Sequence, residues 1–267
     1  MNILLHPAPI RAAIIGLIKS WSLGSYPYRL KIGAVDRPHY GYIVYNAARL
    51  AKRLNIERIS VLEFGVAGGS GLMNLEYHAR EVEAIFPVKI DIYGFDTGKG
   101  LPKPVDYRDL PFHWREGFFR MDVRALQARL ARAKLVLGNI TDTAQRFFRD
   151  YDPAPIGAII HDFDFYSSTA AALKLFEEDE KYFLPRIFCY FDDTIGDETP
   201  LYNDYTGQRL AINEFNQTHE SQKLGLPYHL LGRRNKESWY QQIFIYHDFQ
   251  HPRYNDFVSD ENQQLPI

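Results

Sequence analysis

The sequence predicts an α/β protein with a doubly wound sheet of seven strands, mostly parallel, with a C-terminal antiparallel hairpin strand. Five short apolar segments rich in β-branched residues alternate with segments of helical periodicity, a pattern typical of parallel strands joined by crossover helices. Two later apolar segments have no helical segment between them, which favours a hairpin. Because no internal repeat or low-complexity linker interrupts the chain, we expect residues 1–267 to form one Rossmann-like domain.

The predicted elements follow one another in a regular order. The parallel strands are residues 59–66, 88–96, 133–140, 156–164 and 186–194. The hairpin strands are residues 228–234 and 239–247, and the helices are residues 40–54, 71–86, 121–133, 141–151, 168–179 and 207–219. Since each parallel connection contains a helix, we expect helices on both faces of the sheet.

Two segments lie outside this regular pattern. Residues 1–37 form an N-terminal arm whose apolar stretch is interrupted by Arg11 and Lys19, with no basic region before it. We therefore predict a short amphipathic helix that covers the core or a dimer face, and no signal peptide or membrane span. Residues 98–119 are rich in proline and aromatic side chains and too long for a plain connection, which is typical of a lid or binding loop.

The aromatic side chains of this loop allow two interpretations. They either form the wall of a substrate pocket and exclude water on closure, or pack against a partner subunit. The residues concerned are Tyr107, Phe112, His113 and Trp114. The sequence leaves both interpretations open, and the second implies a homo-oligomer.

Charge and cysteine content exclude several classes of function. With 31 Lys and Arg against 33 Asp and Glu, the net charge of −2 gives no electrostatic case for nucleic acid or an anionic membrane as partner. A small polar ligand is the better expectation. The single cysteine, Cys189, cannot form an internal disulfide, which fits a reducing compartment such as the cytoplasm.

A glycine-rich turn, residues 65–71, follows the first predicted strand and precedes a helix. Glycines let the backbone approach a ligand, and a helix N-terminus offers unpaired N–H groups that favour a carboxylate or a phosphate. Ala67 and Asn74 break the two possible dinucleotide fingerprints, and the Gly-Lys-Ser/Thr ending of a P-loop is missing. A turn that serves only tight packing is the alternative.

The second predicted strand ends on Asp96. An acidic side chain at this position can accept hydrogen bonds from the ribose hydroxyls of an adenosyl ligand. The alternative is a turn residue, because Asp-Thr-Gly is common turn chemistry. Taken together, strand, glycine turn, helix, strand and aspartate favour a ligand site.

Two acidic pairs follow the fourth and fifth predicted strands. Asp162 and Asp164 would project to the same side if the strand stays extended, and Asp192 and Asp193 close the neighbouring strand. Four carboxylates in one crevice would repel one another unless a cation or protons intervened, and Mg²⁺ suits such oxygen ligands. The alternative is that each aspartate caps a turn or lies in solvent. By strand alternation His161 points away from Asp162, so we predict a packed histidine with satisfied ring nitrogens.

Several of these segments resemble one known family. Over roughly residues 40–217, the chain is similar to the S-adenosylmethionine-dependent class I methyltransferases of the macrocin O-methyltransferase type. The matching segments are Glu63-Phe64-Gly65-Val66 with Gly69, Gly94-Phe95-Asp96-Thr97, Gly100-Leu101-Pro102, Leu137-Gly138, Asp142-Thr143, residues 161–169 and Asp192-Asp193. The family commonly has an acidic residue where Ser167 stands, so the start of the next helix is in question. Ser168 or Thr169 is the predicted N-cap.

The resemblance implies roles for named residues. It implies that Gly65 and Gly69 line the methionine end of the cofactor, that Glu63 helps to place that end, and that Asp96 holds the ribose. The full implied cofactor set is Glu63, Gly65, Gly69, Ser70, Asp96, Thr97 and Asn139, the last near the adenine. The implied ligands of Mg²⁺ are Asp162, Asp192 and Asp193, and the implied general base is Asp164.

The resemblance implies a metal-assisted O-methyltransferase that acts on a hydroxyl of a sugar or glycosylated natural product. A bound metal would lower the pKa of the acceptor hydroxyl, and Asp164 would accept its proton. Two alternatives stay open. One is the same fold acting on a catechol-like aromatic hydroxyl, and the other is a non-catalytic module that binds S-adenosylmethionine or a sugar.

Overall fold

A computed structural model describes residues 8–234 and 236–264. Within these residues seven strands form one sheet in the order β3-β2-β1-β4-β5-β7-β6. They are β1 (Arg58–Phe64), β2 (Lys89–Asp96), β3 (Lys134–Leu137), β4 (Ile156–His161), β5 (Phe183–Phe191), β6 (Gln222–Gly225) and β7 (Ile243–Asp248). The first five strands are mutually parallel, and β7 runs antiparallel to both β5 and β6. The predicted mostly parallel sheet of seven strands is confirmed.

Helices cover both faces of the sheet. They are α1 (Ala8–Ser20), α2 (Tyr26–Lys31), α3 (Pro38–Arg53), α4 (Ser70–Glu83), α5 (Val123–Gln127), α6 (Ile140–Tyr151), α7 (Tyr166–Leu173), α8 (Gly207–Thr218) and α9 (Tyr228–Leu231). The core on one face contains side chains of α3, α4 and α5, and the core on the other contains side chains of α6, α7 and α8. Alternate strand residues supply the two cores, as Val61 and Leu62 of β1 do.

The predicted hairpin strand at residues 228–234 is wrong. Helix α9 occupies Tyr228–Leu231, and the strand that pairs with β7 is Gln222–Gly225. Pro227, which has no N–H to donate to a sheet, sits at the N-cap of α9. β6 was missed because its four residues are too polar and too few to show a strand pattern. Asn216 of α8 fixes the position of β6. Its side-chain oxygen accepts a hydrogen bond from Leu224 N at 2.8 Å, and its side-chain nitrogen donates one to Leu224 O at 2.9 Å.

Helix α7 begins earlier than predicted. Its N-cap residue is Phe165, whose side chain makes no capping hydrogen bond, so the prediction of Ser168 or Thr169 as N-cap is wrong. Both residues lie inside the helix, and the Thr169 hydroxyl donates to Phe165 O at 2.9 Å. Local preference for serine and threonine at helix starts did not decide the boundary here.

The N-terminal arm contains the predicted helix. The first seven residues of the arm lie outside the described residues, and α1 follows them. Ile18 packs with Ile32 and Ala34, whereas Leu17 and Trp21 are exposed. No helix within the described part of the chain is both long and apolar enough to cross a membrane.

Candidate active site

A cavity of about 360 Å³ opens at the carboxyl ends of β1, β2, β4 and β5. It lies where the strand order reverses between β1 and β4, the usual ligand position in open α/β sheets. Its wall includes glycine-turn, acidic and loop residues that are distant in the sequence: Gly65, Ala67, Asp96, Thr97, Trp114, Phe119, Asn139, Asp162, Asp164, Asp192 and Asp193. Residues predicted separately for a cofactor and for a metal therefore share one cavity.

Gly65 joins the glycine turn to the acidic segment after β4. Its φ is +82°, and a Cβ added there would lie 2.0 Å from the backbone oxygen of Asp162. Asp162 N donates to Phe64 O at 2.9 Å and so holds the acidic segment beside the turn, and Gly65 N donates to Phe95 O of β2, also at 2.9 Å. Only glycine fits here, because both the conformation and the contact exclude a side chain.

Gly69 and Ser70 are not among the residues of the cavity wall. Gly69 is the N-cap residue of α4 with φ +79°, and an added Cβ would lie 2.1 Å from Leu126 Cδ1. The Ser70 hydroxyl accepts a hydrogen bond from Arg37 Nη2 at 3.1 Å. In the structure Gly69 therefore permits close packing between α4 and α5, and Ser70 contacts the end of the N-terminal arm.

Asp96 has the turn role that the sequence offered as the alternative to ligand binding. Its carboxylate accepts hydrogen bonds from Val66 N at 3.0 Å, Ala67 N at 2.9 Å and Gly98 N at 2.6 Å. These bonds brace the glycine turn. A carboxylate has about four lone-pair sites, so Asp96, which also lines the cavity, keeps capacity for a ligand hydroxyl.

Thr97 and Asn139 line the cavity with side chains that already have partners. The Thr97 hydroxyl donates to Gly100 O at 2.8 Å, and Asn139 is the N-cap of α6, accepting from Thr141 N at 3.0 Å. Both side chains thus shape their own turns beside the cavity.

Glu63 is a buried acid that is not among the cavity residues. Its Oε1 accepts a hydrogen bond from the Tyr40 hydroxyl at 2.9 Å, and its Oε2 has no partner among the described residues. Burial raises the pKa of Glu63 to about 8. A Cβ added at Gly71 would lie 1.9 Å from Oε1, so Glu63 packs directly beneath the first turn of α4.

This buried acid should make stability depend on pH. The folded pKa of about 8 exceeds the ordinary value of 4.5, so the folded state binds more protons than the unfolded state between those values. The Glu63 contribution is complete below pH 4.5 and is lost as pH rises through 8. We expect Glu63→Gln to flatten the fall in the free energy of unfolding between pH 5 and 8, measured by urea denaturation with chelator. A slope unchanged from that of the unmodified protein would contradict this.

Three aspartates form the acidic centre of the cavity. Asp162, Asp192 and Asp193 each offer a carboxylate oxygen, and these oxygens all lie within 4.8 Å of one another. Burial and the neighbouring carboxylates raise the pKa of Asp162 and Asp193 well above the ordinary value. All three ligand atoms are carboxylate oxygens, and Asp193 Oδ2 is buried with no hydrogen-bond partner in the described part of the chain, so the set fits a hard divalent cation such as Mg²⁺.

Asp164 lies beside this centre but outside the group of three. It does not end a strand as predicted, because β4 already ends at His161. Asp164 lies in the irregular segment before α7 and lines the cavity. Burial, and next the Asp192 charge, raise the pKa of Asp164 to about 7. That value suits a group that accepts a proton near neutral pH.

Hydrogen bonds from outside the predicted set hold the acidic centre. The Tyr202 hydroxyl donates to Asp193 Oδ1 at 2.5 Å, and the Tyr190 hydroxyl donates to Asp192 Oδ1. The Gln242 amide donates to Asp192 O at 2.5 Å. Gln242 lies 50 residues from Asp192, so its contact has no local sequence signal. Tyr190 and Tyr202 lie two and nine residues from their partners, but this spacing alone does not indicate a hydrogen bond.

Gln208 of α8 ties together the ends of β4 and β5. It is fully buried, accepts from Asp193 N at 2.8 Å through Oε1 and donates to His161 O at 3.0 Å through Nε2. Sequence reasoning missed it, since one glutamine in a helical pattern looks like a surface residue. Its burial indicates that the spacing of the two acidic segments is set by a hydrogen-bonded side chain.

Arg37 brings a positive charge close to this centre. Its guanidinium donates to the Ser70 hydroxyl at 3.1 Å and to the Tyr40 hydroxyl at 3.4 Å. Burial opposes the charge, but Tyr40, Glu63 and the acidic centre raise the pKa of Arg37 above its ordinary value. The arm thus contributes to the electrostatics of the site, which its sequence did not indicate.

The prediction for His161 is half right. Its ring stacks on Phe191 with centroids 4.2 Å apart and planes 1° apart, as a packed residue would. Its two ring nitrogens, however, have no hydrogen-bond partner among the described residues, so the prediction of a satisfied histidine is wrong. The ring is also in contact with Phe64, whose apolar ring cannot serve as a partner. Burial lowers the pKa of His161 to about 3, which keeps the ring neutral.

Part of the 98–119 loop contributes to the cavity. Trp114 and Phe119 are on its wall, and Trp114 Nε1 is buried without a partner among the described residues. His113 packs edge-on against Trp114 with centroids 4.1 Å apart. Tyr107 and Phe112, by contrast, are 68% and 66% exposed and are not among the cavity residues. Trp114 therefore fits the pocket interpretation, and the other two side chains do not.

Comparison with known proteins bears on the fold. No protein-family model matches the chain, and no curated protein does either. Among solved structures it is similar to CalS11, a calicheamicin methyltransferase, with a TM-score of 0.51 and 18% identity over 90% of this chain and 93% of that one. An apo structure of CalS11, a TDP-rhamnose 3'-O-methyltransferase, has a TM-score of 0.43 and 19% identity over 90% and 95% of the two chains.

A third similar structure is the MycE methyltransferase from the mycinamycin biosynthetic pathway, in complex with Mg, SAH and mycinamycin VI. Its TM-score is 0.42, with 15% identity over 98% of this chain and 66% of that one. At these identities the likeness concerns the fold, and the CalS11 match with the TM-score of 0.51 is the one that carries it. The chain therefore has a seven-stranded Rossmann-like α/β fold, which it shares with CalS11.

Proposed function

We propose that the protein is an S-adenosylmethionine-dependent, divalent-metal-assisted O-methyltransferase that acts on a hydroxyl of a sugar or glycosylated natural product. One observation carries the proposal. The glycine turn with Asp96 and the three-aspartate centre line the same cavity, with Gly65 packed against the backbone of Asp162. A methyl donor at the turn and a hydroxyl at the aspartates would thus lie next to each other, as transfer between them requires.

The cofactor residues follow from this arrangement. Gly65, Ala67 and Asp96 form the wall that would receive the ribose and methionine parts of S-adenosylmethionine, and Thr97 and Asn139 line the adjoining wall. The cofactor supplies the methyl group. Glu63, Gly69 and Ser70 would act from behind this wall by shaping the first turn of α4.

The acidic residues take the remaining roles. Asp162, Asp192 and Asp193 would hold Mg²⁺, which, when bound, lowers the pKa of a hydroxyl and fixes its orientation. Asp164, next to this group on the cavity wall, is placed to take the proton of the acceptor hydroxyl. Trp114 and Phe119 line the cavity and would help to exclude water from a bound substrate.

The acceptor class is the least constrained part of the proposal. CalS11, which shares the fold, is a calicheamicin methyltransferase, and we carry methyl transfer to a natural product over from it. A catechol-like aromatic hydroxyl is the second candidate, because adjacent hydroxyls on a ring would bind the same metal. A non-catalytic binding module is disfavoured by the complete set of four aspartates. A homo-oligomer and a cytoplasmic location stay predictions.

Calorimetry tests the cofactor first. Chelator-treated protein is titrated with S-adenosylmethionine and S-adenosylhomocysteine, with and without Mg²⁺, and micromolar binding of either ligand is expected. Glycosides and catechols are then screened with Mg²⁺ for methylated products by mass spectrometry, which separates the two acceptor classes. Absence of binding under every condition would overturn the proposal.

A further inference from the structure

The 98–119 loop contacts the start of α7 through a single buried carboxylate. Asp109 is completely buried; its Oδ1 accepts from Ser167 N at 2.8 Å, and its Oδ2 accepts from the Ser167 hydroxyl at 2.9 Å and from Val105 N at 2.8 Å. A buried carboxylate is stable only when it is well hydrogen-bonded. The two bonds from Ser167 join segments that are 58 residues apart in the chain, and the bond from Val105 N lies within the loop.

Helix α7 depends on this contact for its start. Its N-cap side chain, that of Phe165, forms no capping bond, and no acidic residue lies in its first turn. Asp109 supplies a negative charge and an acceptor at that end of the helix, where both are favourable. Ser167 is the position at which the chain departs from the family it resembles. Here the carboxylate comes from Asp109 of the loop, which bonds to Ser167.

The segment around Asp109 is anchored further. The Arg108 guanidinium lies over the ring of Tyr166, 4.3 Å from its centroid, and the Tyr166 hydroxyl donates to Glu214 Oε2 of α8 at 2.5 Å. Leu110 is buried beside it. The middle of the loop therefore packs on Tyr166 of α7, which is itself bonded to α8.

A second tie closes the base of the loop. Leu101 N donates to Phe118 O and Gly117 N donates to Leu101 O, each at 2.8 Å. Trp114 lies in the chain between this base and Asp109, and it lines the cavity. Its position over the cavity is therefore determined by the two ties.

Asp109 acts on both sides of the cavity. On one side it holds the loop that carries Trp114, and on the other it holds Ser167, three residues after Asp164. We infer that Asp109 is a positioning residue for methyl transfer, which latches the loop to α7 and so aligns the aromatic wall with the segment of Asp164. This inference rests on the proposed function.

A double substitution separates the tie between loop and helix from simple helix capping. Asp109→Ala removes every side-chain hydrogen bond from the loop to Ser167, and Ser167→Asp places a carboxylate on α7 itself, where it can cap the helix but finds no hydrogen-bonding side chain at position 109. We expect the double variant to recover the melting temperature that Asp109→Ala loses, while kcat stays about 10²-fold low, as for a misaligned site. Ser167→Ala, which keeps the backbone bond from Ser167 N, should show an intermediate loss of kcat.

Limited trypsin digestion measures how firmly the loop is held on α7, and it does not depend on methyl transfer. We expect cleavage after Arg115, whose neighbours in the chain are unchanged, to be faster in Asp109→Ala and in the double variant than in the unmodified protein. Asp122→Asn, which alters the exposed N-cap of α5 just after the loop, should leave this cleavage rate unchanged.

The outcomes are distinct. Full recovery of kcat in the double variant would show that Asp109 only caps α7 and would overturn the inference, as would unchanged trypsin cleavage after Arg115 in Asp109→Ala. If the unmodified protein transfers no methyl group to any acceptor, the proposed function fails, whereas the cleavage rates still decide whether Asp109 latches the loop.

Discussion

We expect Asp193→Ala to reduce metal-dependent methyl transfer by at least about 100-fold and to leave the affinity for S-adenosylhomocysteine nearly unchanged. Loss of a residue that merely orients a metal ligand costs about 10–100-fold, so loss of a ligand should cost no less. Asp193 is buried in the acidic centre, and its contacts run to Tyr202 and Gln208 and not to the glycine turn. Steady-state kinetics over a range of Mg²⁺ concentrations and calorimetry with S-adenosylhomocysteine measure the two effects.

Two further variants make the Asp193 result specific. Tyr202→Phe keeps the carboxylate and removes only its hydrogen bond, so Mg²⁺ affinity should fall by about 10–100-fold. Asp197→Ala changes an exposed acid four residues away and should leave both turnover and Mg²⁺ affinity unaffected. Unchanged turnover in Asp193→Ala would show that the metal assignment is wrong.

The second large effect is expected at Gly65. Gly65→Ala should abolish cofactor binding and lower the free energy of unfolding by at least about 1–2 kcal/mol, the usual cost of a left-handed residue with a side chain. The new Cβ would lie 2.0 Å from Asp162 O, and because this contact is with backbone, no side-chain rotation can relieve it. Urea denaturation and calorimetry with S-adenosylhomocysteine provide the measurements.

Gly68 provides the matched control in the same turn. A Cβ added there meets nothing within 4 Å, and its φ lies outside the left-handed region. Gly68→Ala should therefore bind S-adenosylhomocysteine and unfold like the unmodified protein. If Gly65→Ala did the same, the close approach between the turn and Asp162 would have no functional role.

The strands that could be predicted most clearly from the sequence are those that are buried on both faces of the sheet. β1, β2, β4 and β5 appear in the sequence as apolar runs because they are buried on both faces of a parallel sheet. β6 has no such run, and one side of it is the sheet edge, so its four residues carried no pattern. Because residues 222–225 show no strand pattern, the apolar segment at residues 228–234 was predicted as the partner of β7 instead.

The candidate site divides in a similar way. Gly65, Asp96 and the aspartates follow directly after strands, and the carboxyl ends of parallel strands meet at one edge, so their convergence could be predicted. Four further residues have no signal in the sequence: Gln208, Tyr202, Arg37 and Asp109. Asp109 and Arg37 contact residues 58 and 33 positions away in the chain. Gln208 and Tyr202 reach Asp193 from 15 and nine positions away through a turn of the chain that only the fold defines. His161 shows the converse: alternation predicted its direction, but the phenylalanines that leave its nitrogens without partners come from other strands.

By itself, the sequence determined the alternation of strands and helices and the order in which glycine, acidic and apolar segments follow one another, because periodicity and turn chemistry are local properties of a chain. Only the tertiary structure decided which carboxylates lie within reach of one cation, which glycine borders the cavity, and which side chains hold them. Those properties depend on distances between segments far apart in the sequence, and packing of the two cores against the twisted sheet sets these distances.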